Sequence, residues 1–71
     1  MMMPLVFADT GSEMIIHKVG GSPEVKQHLN DLGFVPGGSV TLVSKLGGNL
    51  IVKVKESRVA INEDLARRIM I

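Results

Sequence analysis

The sequence predicts a mainly β domain, a small closed barrel of about five short antiparallel strands with one inserted α-helix over residues 23–32. Three observations predict it. Short runs rich in β-branched residues recur at close spacing between Gly, Ser and Asn turns. One segment alone carries helical periodicity with both a start and a stop signal. A chain of 71 residues without cysteine must also close around one aliphatic core, and a barrel does so while hiding its strand edges.

Residues 1–71 accordingly form a single domain, with 1–12 expected as an irregular N-terminal segment. A chain this small buries only roughly 60% of the surface its unfolded form exposes, so its stability is modest. Neither a disulfide nor a thiolate zinc site can staple it, since it has no cysteine. Hydrophobic residues make up 45% of the chain, and Phe7 and Phe34 are its only aromatics, so the core is aliphatic. The formal net charge of +1 supplies no basic surplus for nucleic acid. The apolar start, Met1 to Phe7, has no basic flank and meets Asp9 well short of the ~18 apolar residues of a membrane span. It reads as neither signal peptide nor anchor. The triplet Met1-Met2-Met3 has the soft donors of a Cu(I) site but reads as a frayed terminus or an ambiguous start.

Asp9-Thr10-Gly11-Ser12 is turn-like, and residues 13–19 form a β-branched run predicted as one strand. Ile15, His17 and Val19 would share one face, opposite Met14, Ile16 and Lys18, with both faces partly covered. Gly20-Gly21 breaks the strand. Ser22 is a favoured N-cap, Pro23 is preorganised for the first helical position, and Glu24 suits the positive end of the helix dipole. Val25, Leu29 and Leu32 lay an apolar stripe at helical spacing, and Gly33 stands where a left-handed residue would end the helix.

Phe34-Val35-Pro36-Gly37-Gly38 follows as a loop, with Pro36-Gly37 fitting the centre of a type II turn and Gly38 allowing close backbone approach. Residues 40–44 and 50–55 are predicted strands joined by a hairpin over 45–49, and 58–61 is a further short strand. Asn62-Glu63-Asp64 starts a helical turn near 63–67, and residues 69–71 close the chain as a strand.

Catalytic chemistry finds little support. The serines lie at turns, caps and strand ends, and none occupies a nucleophile elbow. Glu63 and Asp64 are first-turn acids of a helix, not an acid–base pair. The Gly-Gly pairs lack the lysine and serine of a phosphate loop. His17 and His28 lie on different elements without i, i+4 spacing, so no metal site is expected. Lys53 and Lys55 share a strand face, where lysines solubilise or protect an edge. Phe34 and Val35 are apolar residues in a glycine-rich loop: they either tuck beneath the barrel or form an exposed partner patch.

Taken together, the order of these motifs resembles the ferrous iron transport protein A (FeoA) family. The resemblance rests on Leu29 to Leu32, Gly33-Phe34-Val35-Pro36-Gly37, Val40 to Val43, Leu46-Gly47-Gly48, Leu50 to Val54, Arg58 to Ile61, Asp64-Leu65-Ala66 and Ile69 to Ile71. It implies an SH3-like barrel and a cytoplasmic, non-enzymatic accessory protein of bacterial ferrous iron uptake. Its implied partner is the membrane permease FeoB, contacted at its cytosolic GTP-binding region, with no nucleic acid, no membrane insertion and no cofactor. Self-association is compatible with such a barrel. The implied partner surface comprises Leu32, Gly33, Phe34, Val35, Pro36 and Gly37. Similar SH3-like domains close metal-dependent transcriptional repressors, so a freestanding or fragmentary regulatory domain of that kind is the alternative.

Overall fold

The structure, a computed structural model, describes residues 2–71. A 3₁₀ turn, Leu5–Phe7, precedes β1 (Glu13–Ile15), β2 (Lys18–Val19), α1 (Pro23–Leu32), β3 (Ser39–Leu46), β4 (Asn49–Val54), β5 (Ser57–Asn62), α2 (Glu63–Ala66) and β6 (Ile69–Met70). Four strands form an antiparallel sheet in the order β1-β3-β4-β5, and β2 pairs antiparallel with β6. The inner face of the large sheet contributes Val40, Leu42, Leu50, Val52, Val54 and Ile61 to the core, all essentially buried. Alternation within β4 is strict, because its outward residues are Asn49, Ile51 and Lys53. An extra residue at Val43 shifts the β3–β4 register between Leu42 and Ser44, a bulge that bends the strand as a small barrel requires.

The single strand expected over residues 13–19 divides in two. Ile16 is the point of division: its N–H donates to Gly38 O at 2.8 Å, and its carbonyl accepts from Gly37 N–H at 2.8 Å. The next residue, His17, donates to Met70 O at 2.8 Å, so the chain leaves β3 and joins β6 within one residue. This crossing breaks the period-2 pattern. Ile16 and Val19 are buried, whereas Ile15 is half exposed and His17 and Lys18 face outward, so Ile15, His17 and Val19 do not share a face.

The N-terminal segment is also more ordered than expected. Leu5 is wholly buried, Ala8 nearly so, and Val6 packs against the same core. Met3 N–H donates to Ile71 O at 2.9 Å and Ile71 N–H returns a bond to Met3 O at 2.8 Å, which ties the start of the chain to β6. The sequence around Leu5 shows no period, because a 3₁₀ turn of three residues is too short to have one. Met1 lies outside the described residues.

Both helices begin as their sequences specify. The Ser22 hydroxyl accepts from Val25 N–H at 3.3 Å, and the Asn62 side chain accepts from Leu65 N–H at 2.8 Å. Asn62 is exposed and α2 is only four residues long, so this cap is a large share of what fixes that turn. Asn62→Ala is expected to cost about 1 kcal/mol, read in a thermal melt as a fall of about 4–8 °C.

Candidate functional site

The segment from Leu32 to Gly37 is held at both ends. Gly33 adopts φ +108° and ψ 1°, and its N–H donates to Asn30 O at 2.9 Å. Phe34 N–H donates to Leu29 O at 2.9 Å. These two bonds form a Schellman motif, whose usual apolar contact is here between the fourth-last residue of α1 and the second residue after it. Those residues are Leu29 and Phe34, both 0% exposed. Beyond them, Gly38 N–H donates to Val35 O at 3.0 Å and Gly37 takes φ +87°, the geometry of a type II turn centred on Pro36-Gly37. A Cβ at Gly38 would stand 3.1 Å from the Val35 carbonyl oxygen, so the close approach expected there is present. Bonds to Ile16 from Gly37 and Gly38 pin the turn to the barrel.

This geometry divides the six candidate residues. Gly33 and Phe34 are buried, Leu32 and Val35 are partly buried, and Pro36 and Gly37 are exposed. Phe34 takes the buried of the two positions expected for it: the Schellman turn directs it under the helix end. What reaches the surface is a rim of exposed Pro36 with partly buried Val35 and Leu32, the last packed against the core on its inner side.

His17 and His28 are both exposed on separate elements, and no group of three or more His, Asp or Glu side chains converges among the described residues. Glu63 and Asp64 meet Arg67 at 3.7 and 3.4 Å, exposed ion pairs within one helical turn that carry little energy. Lys53 and Lys55 do not share a face as expected. Lys53 projects from the outer face of the sheet opposite Arg58, while Lys55 lies in the β4–β5 turn at φ +55°. The Lys55 stem runs beside Gly33, its Cδ 3.8 Å from where a Cβ at position 33 would lie. Sequence reasoning missed Arg58 as Lys53's neighbour, because cross-strand register depends on where the turn falls. No enclosed pocket occurs among the described residues, and no helix there is long and apolar enough to cross a membrane.

Residues 3–71 match the model of the FeoA domain. A protein of Methanocaldococcus jannaschii named "Putative Fe(2+) transport protein A" is 33% identical over 70 residues, covering 99% of this chain and 85% of that protein. Among solved structures, the crystal structure of an iron uptake regulatory protein (FeoA) superposes with a TM-score of 0.90 at 28% identity, covering 99% of this chain and 95% of the other. Stenotrophomonas maltophilia FeoA complexed with zinc, described as an SH3 domain protein, gives 0.82 at 27% identity over 94% of this chain and 86% of its own. A manganese-dependent transcriptional repressor gives 0.89 at 12% identity, with 99% of this chain but only 40% of the repressor covered. That last likeness is one of fold alone.

Proposed function

This chain belongs to the FeoA family, and on that premise we propose that it assists ferrous iron uptake by docking on the cytosolic GTP-binding region of an FeoB-type permease. Membership makes it a ferrous iron transport accessory protein with an SH3-like fold. Contact with the permease, a cytoplasmic location and a non-catalytic role are our extension. The observation that carries the extension is the rim of Leu32, Val35 and Pro36, of which Pro36 is exposed and the other two partly so, on a backbone fixed by a helix stop, a type II turn and bonds to Ile16. A rigid apolar patch on a small barrel loses little conformational entropy on binding, which favours recognition of a protein surface. The repressor-domain alternative has only a shared fold behind it, at 12% identity.

The test uses the purified chain, the cytosolic GTP-binding domain of the permease and titration calorimetry. Val35→Glu and Pro36→Glu are each expected to weaken binding about tenfold or more, the loss of one central apolar contact. The melting temperature of Pro36→Glu should stay close to that of the parent because Pro36 is exposed, while Val35→Glu, at a partly buried position, should lower it without unfolding the chain. Undiminished affinity in both variants would remove the rim from the interface.

A further inference from the structure

We propose that the end of the β4–β5 hairpin, through Lys53, Lys55 and Arg58, docks a carboxylate-rich extended segment of a partner protein. Lys53 and Arg58 are register partners on the outer face of the sheet, which sets their Cβ atoms about 4.5–5.5 Å apart. Like charges directly opposite each other destabilise a sheet. No carboxylate offsets them, since both ion pairs among the described residues belong to Arg67. Glu13 occupies the far end of the same row, beyond Thr41, and Glu56 at the turn forms no ion pair with any of the three cations.

Lys55 adds an independent observation. It is the one non-glycine residue at positive φ among those described, in a turn where glycine would carry no steric cost. Two locally unfavourable choices thus place cations at one hairpin end. Thr41, Ala60 and Ile51 surround the pair on the outer face, and both Lys53 and Arg58 are exposed. The Lys55 stem beside Gly33 connects the cations to the rim of Leu32, Val35 and Pro36.

Lys53 and Arg58 stand side by side on the outer face while Lys55 lies beyond them in the turn, so the three cations do not gather on one face as a cradle for a single phosphate would. Three cations also fall short of the roughly four to eight of a segment that binds anionic membranes. An acidic peptide complements the charge of this hairpin end. Carboxylates would pair with Arg58 in a two-pronged fashion and neutralise Lys53 at the same step.

The inference rests on the docking reading above, and the test keeps the two separable. Amide resonances of the isotope-labelled full chain are followed during titration with hexaglutamate, inorganic phosphate and phosphatidylglycerol vesicles, each at low and high salt. Saturable shifts centred on residues 53–58, given by hexaglutamate alone and weakened by salt, are expected. Lys53→Gln/Arg58→Gln should weaken hexaglutamate binding roughly tenfold. Lys55→Gly should weaken it too while raising the melting temperature, because the backbone strain is released. Equal shifts at Lys18, Lys26 and Arg68, matching shifts with phosphate, vesicle binding, or a Lys55→Gly variant that melts lower would each overturn the proposal. If hexaglutamate fails while the permease domain still binds the parent and the double variant alike, this hairpin site is wrong and the docking reading stands.

Discussion

Phe34→Ala is expected to lower the melting temperature by on the order of 15–25 °C and to leave much of the chain unfolded at 37 °C. Deleting a buried phenylalanine side chain costs about 3–5 kcal/mol, the transfer energy of the lost atoms plus that of the cavity left behind. A chain of 71 residues has a total stability of about 4–10 kcal/mol. One side chain therefore carries a large fraction of it. Phe34 is 0% exposed, opposite Leu29 across the helix stop, so the cavity would open where α1 joins the barrel. Phe34→Leu keeps most of the volume and should cost under about 1.5 kcal/mol after repacking. Circular dichroism melts of the two variants decide the matter. A fall of less than about 5 °C for Phe34→Ala, with permease binding lost, would return Phe34 to the contact surface.

The same loop shows what was legible in the residues and what was not. Ser22, Pro23 and Gly33 mark both ends of α1, and Pro36-Gly37 marks its turn, because each acts through its own backbone. Local chemistry of that kind is written in consecutive residues. The side of the barrel on which Phe34 lies is not local: it follows from the Schellman bonds that bring Phe34 back toward Leu29. The division of residues 13–19 has the same origin. The run 13–19, with Met14, Ile15, Ile16 and Val19 in it, looks continuous, yet two partners, β3 and β6, compete for it, and the switch at Ile16 is fixed by strands far along the chain. The candidate site divides similarly. Its location at residues 32–37 is visible in the motif, while the split into buried Phe34, partly buried Val35 and exposed Pro36 needed the fold. The Lys53–Arg58 pair depends on register, and register depends on turn length, which is the least readable quantity in a glycine-rich sequence.

The N-terminal segment provides the second large effect. Leu5 is 0% exposed although it lies in a 3₁₀ turn outside every sheet, and Ala8 beside that turn is also buried. Among the described residues, Met3 and Ile71 exchange two backbone hydrogen bonds, and Pro4 bridges to Met70, so this segment closes the barrel at β6. Leu5→Ala is accordingly expected to cost about 3–5 kcal/mol, a fall in melting temperature comparable to that of Phe34→Ala. A chain beginning at residue 9 would lose Leu5, Ala8 and the bonds to Ile71 together. Its remaining stability should be near zero, because β6 would be left with β2 as its only strand partner and a two-stranded ribbon is marginal in water. The readout is amide hydrogen exchange in Leu5→Ala. Protection should fall first at His17 and Gly20, whose N–H groups bond to Met70 and Arg68 around the closing strand, before it falls in β3 and β4. Uniform loss of protection would instead mean that Leu5 supports the whole core equally, and unchanged protection at His17 would detach the N-terminal segment from barrel closure.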